Sequence, residues 1–162
     1  MALTVLEHRE HDHARCTADA LTHAEAICQR AGLRFTPQRR HVLQALLDSH
    51  IPASAYDVID RLVVHGEPRL APVSVYRALE FLTANNLAHR IESKNAYVAC
   101  DRGDECEPGA TLFLICDTCG AAAEAPSEAL GGLIAREART RGFASRQSVL
   151  EVRGLCARCR GA

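Results

Sequence analysis

The sequence predicts an α+β protein of two domains, and two observations carry this prediction. Four segments with helical spacing of apolar residues, followed by two short strands, fill residues 18–100. Residues 110–162 follow the order strand, helix, strand and carry a C-x-x-C pair near each end. We therefore expect domains over 18–100 and 110–162, joined by an acidic hinge loop over 101–109 and preceded by a flexible His-rich tail over 1–17.

Two helices are predicted at the start of the first domain. One runs from Ala20 to Gly32, a residue type that commonly ends helices. Its apolar side consists of Leu21, Ala24, Cys28 and Ala31. The next begins at Thr36, because threonine can cap free backbone N–H groups and the following Pro37 is tolerated at the first helical position. Its apolar side consists of Leu43, Leu46 and Leu47.

Two more helices follow. Ser54 and Asp57 form a capping-box-like pair that predicts a third helix, which Gly66 ends. A fourth helix follows the proline-containing loop and ends near Asn85 and Asn86. Its apolar stripe consists of Val75, Ala78, Leu79 and Leu82.

Two short strands complete the first domain. Residues 87–92 and 96–100 are β-prone and flank a turn-prone break, and helices followed by such a hairpin are typical of a winged helix-turn-helix. In that architecture the last helix enters the major groove, where Arg77 could pair with a guanine edge and Ser74 and Tyr76 could reach bases or phosphates. Helix-turn-helix spacing also occurs in protein-binding domains, so this pattern alone leaves both kinds of partner open.

The second domain is predicted from three local signals. Thr111–Ile115 is a β-prone run, Ser127 can cap a helix, and Ser148–Val152 is a second β-prone run. The apolar residues of the helix are Leu130, Leu133, Ile134 and Ala138. This half is therefore predicted as a small α/β domain.

Composition limits the classes of function. A net charge of −1 argues against a uniformly basic nucleic-acid-binding surface and against electrostatic attachment to a membrane. Local positive charge is available in two stretches without acidic residues, 26–47 and 68–79. Their basic residues are Arg30, Arg34, Arg39, Arg40, Arg69 and Arg77, for which a solvated helix face is the alternative interpretation.

Location and redox environment follow from the N-terminus and the cysteines. Asp12 and its neighbouring histidines interrupt the region where a signal peptide needs its apolar segment, so we expect a cytoplasmic protein. Eight cysteines in that compartment are expected to bind metal or perform redox chemistry rather than form disulfides.

The strongest motif is the pair of C-x-x-C sequences, Cys116 with Cys119 and Cys156 with Cys159. Four thiolates satisfy tetrahedral zinc with no open position, which is typical of a structural site. Two separate redox pairs are the alternative interpretation, but two matched pairs favour one tetrahedral site.

A second group of possible ligands straddles the predicted domain boundary: His89, Cys100, Cys106 and Glu124. Thiolate, imidazole and carboxylate together suit zinc better than magnesium or calcium. A metal bound there would fix the angle between the two domains, as a metal-operated switch requires. Taken singly, each residue is more often an ordinary surface group.

Six motifs together resemble the ferric uptake regulator family, and within it the zinc uptake regulator branch. They are Gly32-Leu-Arg-Phe-Thr-Pro-Gln-Arg39, Ser54-Ala-Tyr-Asp57, Val75-Tyr-Arg-Ala-Leu79, Tyr97-Val-Ala-Cys100, Leu114-Ile-Cys-Asp-Thr-Cys-Gly120 and Gly154-Leu-Cys-Ala-Arg-Cys159. The resemblance runs from about Ala18 to Cys159, and the motifs occur in order.

This resemblance implies a homodimer that binds double-stranded operator DNA when zinc is sufficient and represses zinc-uptake genes. It implies two zinc ions per chain, a structural one held by the four C-x-x-C cysteines and a regulatory one held by His89, Cys100 and Glu124. With the basic stretches, it gives eight expected DNA-binding residues: Arg34, Gln38, Arg39, Tyr56, Arg69, Ser74, Tyr76 and Arg77.

The sequence departs from the family at the fourth regulatory ligand. The family usually has a histidine between Cys100 and Cys116, but no histidine follows His89 here. We expect Cys106 in its place, with four acidic alternatives: Asp101, Asp104, Glu105 and Glu107.

The sequence leaves two other functions open. A family member that responds to iron, manganese or peroxide is the nearest alternative, and a zinc-stabilised protein-binding module is another. We expect neither enzymatic activity nor a small-molecule substrate other than the metal ion, because the sequence lacks a nucleophile-and-base motif, a phosphate-binding glycine loop and an H-E-x-x-H helix.

Overall fold

The computed structural model describes residues 13–100, 110–125, 127–145 and 148–161, with side chains from residue 17 onward. The chain divides into two compact units, whose described parts are residues 13–100 and the described residues between 110 and 161. The mixture of helices and strands confirms the predicted α+β class. Among the described residues, no helix has the length and apolar character needed to cross a membrane.

Four helices and a hairpin make up the N-terminal unit. They are α1 (His13–Arg30), α2 (Pro37–Leu47), α3 (Ala55–Val64), α4 (Pro72–Ala84), β1 (Ala88–Ile91) and β2 (Ala96–Ala99). β1 and β2 pair antiparallel with His89 opposite Val98, and Asn95 closes the turn between them in the left-handed conformation. The winged helix-turn-helix order is as predicted, but α1 begins at His13 rather than Ala20, so residues 13–17 are helical instead of part of a tail.

Local capping starts two of these helices where the sequence predicts. Thr36 accepts a hydrogen bond from the backbone N–H of Arg39, and Pro37 occupies the first turn of α2. At α3, the Ser54 hydroxyl accepts from the Asp57 backbone N–H at 3.2 Å, while the Asp57 carboxylate accepts from the Ser54 backbone N–H at 2.8 Å. The Ser54 hydroxyl also donates to the Asp57 carboxylate at 2.7 Å, and this bond, followed by the one from the Ser54 backbone N–H, lowers the pKa of Asp57 because both stabilise its charged form.

One hydrophobic core holds this unit together. Its largest fully buried side chains are Cys28, Val42, Leu46, Val58, Ile59, Leu62, Val75, Leu79 and Leu82. The predicted apolar stripe of α4 is buried in full. Ala31 is exposed, because α1 ends one residue before it, and Leu47 is only half-buried.

The C-terminal unit contains a three-stranded sheet and two helices. They are β3 (Ala110–Cys116), β4 (Ala122–Ala125), α5 (Glu128–Thr140), β5 (Ser148–Gly154) and α6 (Ala157–Arg160). The strand order is β4-β3-β5, with β3 antiparallel to β4 and parallel to β5. Gly131 lets α5 approach the sheet closely, because a Cβ at that position would lie 3.3 Å from the Cβ of Ala110.

Two elements of this unit were not predicted. β4 and the short α6 have no strong local signal in the sequence. Ser127 caps α5 as predicted, by accepting a hydrogen bond from the Leu130 backbone N–H at 3.3 Å. Of the apolar residues of α5, Leu130, Ile134 and Ala138 are half-buried and Leu133 is 51% exposed.

Candidate metal centres and nucleic-acid interface

The first C-x-x-C pair lies in the tight turn between β3 and β4. Cys116 ends β3, and its carbonyl accepts a hydrogen bond from the backbone N–H of Gly120 at 3.0 Å. Gly120 has a φ of 77°, a conformation that side-chain-bearing residues rarely adopt. The Cys116 N–H then donates to the Ala121 carbonyl at 2.9 Å, which returns the chain to the sheet.

The second pair reaches the same place through the sheet. β5 runs parallel to β3 with Gly154 beside Cys116, and the Asp117 backbone N–H donates to the Gly154 carbonyl at 2.8 Å. Arg153 also holds this corner by an ion pair with Asp117 at 2.7 Å. The chain then turns into α6, where the backbone N–H of Cys156 donates to Cys116 Sγ at 3.4 Å.

The four sulfur atoms form one cluster, as the sequence predicts. All four Sγ atoms lie within 4.8 Å of one another, and Cys119 Sγ is 3.9 Å from Cys156 Sγ. A tetrahedral zinc with its usual Zn–S bonds requires sulfur atoms about 3.8 Å apart, so the cluster fits the ion. Four sulfur donors would leave no position on a bound zinc open for substrate, an arrangement typical of structural sites.

The cluster already favours the thiolate form at one position. Backbone N–H groups of Cys119 and Cys156 lower the pKa of Cys116 to about 6. The pKa of Cys159 is raised to about 12, first by its side-chain hydrogen bond with Cys156 and then by desolvation. The backbone therefore stabilises the thiolate of Cys116, whereas the thiolate of Cys159 needs a nearby cation, which zinc would supply when bound.

Two of the predicted regulatory ligands lie together on the hairpin. His89 is on β1 and is buried, and Cys100 follows β2 and is half-buried. The backbone N–H of Cys100 donates to the Leu87 carbonyl at 3.1 Å, which extends the hairpin ladder by one pair. A ring nitrogen of His89 and Cys100 Sγ lie within 4.8 Å, close enough to share one zinc ion.

The other predicted ligands come later in the sequence than the hairpin. Glu124 is on β4 of the C-terminal unit, opposite Phe113, and is 5% exposed. Carboxylates are rarely buried to that extent without a cation or hydrogen-bond donors. Cys106 and its acidic alternatives fall in the stretch 101–109, outside the described residues.

α4 presents the predicted DNA-reading residues at its N-terminal half. Arg77 is exposed, Tyr76 is 37% exposed, and Ser74 is half-buried in the first turn. The preceding helix contributes Tyr56, which is 59% exposed. The first turn of α4 contains no acidic residue that would repel a phosphate.

The other four predicted DNA-binding residues differ in their contacts. Arg34 is exposed, and Arg69 forms an exposed ion pair with Asp60 at 3.0 Å. Gln38 and Arg39 instead contact α4. Gln38 Nε2 donates to the Ser74 carbonyl at 2.9 Å, and the Arg39 guanidinium lies 3.5 Å from the centre of the Phe81 ring.

Sequence reasoning missed two features of these surfaces. Phe81 was not singled out, although its position one turn after Arg77 on α4 was readable. Several exposed apolar residues of the C-terminal unit were also missed: Leu133, Phe143, Val149, Val152 and Leu155. Val149 and Val152 are three positions apart on β5 and therefore point to opposite faces of the sheet.

Comparison with known proteins gives matches over most of the chain. The ferric uptake regulator family model matches residues 30–153. The zinc uptake regulation protein of Escherichia coli (strain K12) is 41% identical over 143 residues, which cover 88% of this chain and 82% of that protein.

Solved structures of zinc uptake regulators also match most of the chain. A zinc uptake regulator complexed with zinc and DNA is 39% identical, with a TM-score of 0.83 over 90% of this chain and 95% of that one. The crystal structure of holo XcZur is 38% identical, with a TM-score of 0.80 over 89% and 99% of the two chains.

Proposed function

The chain belongs to the ferric uptake regulator family, and from this we propose that it is a zinc-responsive repressor that binds operator DNA as a dimer and silences zinc-uptake genes. The observation that carries this proposal is the 41% identity to a zinc uptake regulation protein over 88% of the chain. The 39% identity to a regulator solved with both zinc and DNA supports the proposal that this chain binds both ligands. Such a protein acts in the cytoplasm as a regulator rather than an enzyme.

The first proposed zinc is structural and is held by Cys116, Cys119, Cys156 and Cys159. Its support is the cluster of four sulfur atoms within 4.8 Å. The pairs lie at opposite ends of the unit in sequence, so the ion closes a loop of about 40 residues and contributes folding free energy directly.

The second proposed zinc is regulatory and is held by His89, Cys100 and Glu124, with Cys106 as the fourth ligand. Its support is the proximity of the imidazole and the thiol on the hairpin, together with the burial of Glu124. Nitrogen and sulfur donors favour zinc over manganese or magnesium. The two zinc ions thus have different expected roles, because only the second draws ligands from residues outside the C-terminal unit.

The proposed DNA-facing surface centres on Arg77, with Ser74 and Tyr76 beside it on α4. Arginine can pair bidentately with the O6 and N7 atoms of guanine, which makes Arg77 the expected base reader. Further contacts with the DNA phosphate backbone would come from Arg34, Tyr56 and Arg69. From α2, Gln38 and Arg39 support this surface by contacting α4.

The proposed dimer uses the C-terminal unit. β5 is an edge strand, and Val149 and Val152 on it are 41% and 51% exposed. Leu155 and Phe143 of the same unit are exposed as well, so a single chain leaves four large apolar side chains in water. Pairing the edge of β5 with a second copy would remove both apolar area and the strand edge from solvent.

The test is binding of the purified dimer to labelled DNA from upstream of its own gene and of candidate zinc-transporter genes, across buffered free zinc. We expect sequence-specific binding that rises with zinc and exceeds the response to iron(II) or manganese(II). Arg77→Ala should weaken operator binding by about 1 to 3 kcal/mol, with zinc content unchanged. Arg136→Ala, an exposed arginine on α5, is the matched control and should bind normally. An equal response to iron(II) would contradict the proposed zinc response.

A further inference from the structure

Gln38 and Arg39, at the start of α2, contact α4 at two different positions along its axis. Gln38 Nε2 donates to the Ser74 carbonyl in the first turn of α4, at 2.9 Å. The Arg39 guanidinium lies over the ring of Phe81, 3.5 Å from its centre. Ser74 and Phe81 are two helical turns apart, about 10 Å along the axis. Two contacts separated in this way restrain both the axial position and the rotation of α4.

Arg77 lies between these two contact points. Residues three or four apart on a helix are neighbours on one side of it, which places Ser74 one turn before Arg77 and Phe81 one turn after it. A bidentate pair with guanine depends on the angle and distance of the guanidinium, so small rotations of α4 weaken it. The contacts from α2 therefore restrain the turn on which the proposed base reading depends.

The two side chains are themselves held by the helix cap. Thr36 Oγ1 accepts from the backbone N–H of Arg39 at 3.4 Å, and Pro37 fixes the backbone angle of the first turn. Arg39 also donates a hydrogen bond to the backbone carbonyl of Arg34. Its guanidinium is thus engaged on one side by a carbonyl and on one face by a ring, within the chain.

We propose that Gln38 and Arg39 are positioning residues, which brace α4 for operator discrimination without contacting DNA. This inference rests on the proposed function, since it assumes that α4 reads an operator. It assigns to both residues a role different from direct contact with a base or a phosphate. A phosphate contact raises the affinity for any DNA duplex, and a base contact raises the affinity for one particular base pair. A brace instead raises the ratio of operator affinity to affinity for unrelated DNA.

The first test compares affinities for operator and unrelated DNA in the zinc-loaded dimer. Gln38→Met keeps the length of the side chain but removes the donor, and should lower the operator-to-unrelated ratio about fivefold to tenfold. Affinity for unrelated DNA and its salt dependence should stay at the wild-type level. Gln29→Met, on the exposed side of α1, is the matched control. An equal loss on both DNAs would overturn the brace, because that is the signature of a backbone contact.

The second test uses a charge-conserving change. Arg39→Lys keeps the positive charge but loses the planar group that stacks on the ring. A brace predicts a loss of discrimination similar to that of Gln38→Met, whereas a phosphate contact predicts that lysine restores wild-type binding. Arg40→Lys, the adjacent residue paired with Glu25, is the control. Wild-type discrimination in Arg39→Lys would overturn the role of Arg39.

A double-mutant cycle distinguishes a brace from an unrelated loss of stability. Phe81→Leu removes the ring but leaves Arg39 in place. The double variant with Arg39→Lys should lose no more operator discrimination than either single variant. Additive losses would overturn the proposed pairing. All variants are compared at equal zinc content and dimer fraction. Failure of the wild-type dimer to distinguish any operator would overturn the proposed function and the brace with it, whereas failure in the variants alone concerns only the brace.

Discussion

Cysteines in this chain occupy environments that differ enough to give them different chemistry. Cys28 is buried in the core on α1, and burial raises the pKa of its thiol, so it stays protonated. Cys116 receives backbone hydrogen bonds that lower its pKa, as suits a metal ligand. Cys100 follows the hairpin beside His89. The position of each cysteine, more than the total number, therefore indicates which of them are candidate zinc ligands.

Substitution of single cysteines should separate the two proposed zinc ions. Cys100→Ser should give a folded dimer with one zinc per chain, whose DNA binding no longer responds to zinc. Cys116→Ser should unfold the C-terminal unit, because a structural zinc contributes about 10 to 16 kcal/mol, as much as a typical domain's whole stability. Zinc content by mass spectrometry under native conditions and a zinc titration of DNA binding provide the measurements.

Cys28→Ala is the control for this pair, since it removes a thiol that no proposed site uses. It should retain two zinc ions per chain and lose only modest stability. If Cys100→Ser kept two zinc ions or a wild-type zinc response, the assignment of Cys100 as a ligand would be wrong.

At the scale of the helix, capping determines where α3 begins. Ser54→Ala removes the acceptor for the Asp57 backbone N–H and the partner that lowers the pKa of Asp57. We expect a loss of about 1 kcal/mol in the free energy of unfolding of the N-terminal unit at neutral pH. Ser54→Thr keeps an oxygen at the cap and should lose much less. Urea denaturation followed by circular dichroism would measure both, and equal stability of Ser54→Ala and wild type would contradict the cap.

The elements readable from the sequence are those with local signals. The caps at Thr36, Ser54 and Ser127 depend on residues within three positions, and each begins a helix where predicted. β4 was not predictable in this way, because Ala122–Ala125 contains no β-branched residue and becomes a strand by pairing with β3.

The candidate sites divide along the same line. The cluster of four cysteines was predictable from the sequence, because the C-x-x-C spacing is one that tetrahedral zinc sites use. The contact of Gln38 with Ser74 was not, since it depends on how α2 packs on α4, a relation across 36 positions in the sequence. Sequence patterns identified which residues are chemically able to contact DNA, whereas tertiary packing distinguishes those that face outward from those that contact another helix.

For the whole molecule, solubility depends on how the exposed apolar side chains of the C-terminal unit are covered. The whole chain has a net charge of −1, which gives it little electrostatic protection against association. An exposed edge strand with Val149 and Val152 would then be prone to uncontrolled pairing unless a specific partner covers it. In a symmetric dimer the two copies cover the same surface on each other, so that surface is not available to a third copy.

Val152→Glu should therefore dissociate the dimer, because it places a carboxylate in an interface without a cation for it. We expect the dimer dissociation constant to rise at least about a hundredfold, equivalent to about 3 kcal/mol. Val64→Glu is the matched control, since Val64 is 83% exposed on α3 and lies outside the proposed interface. Sedimentation equilibrium of the zinc-loaded proteins measures both. Operator affinity should fall in parallel for Val152→Glu alone, because a monomer reads one half-site where a dimer reads two; a stable Val152→Glu dimer would exclude this surface as the interface.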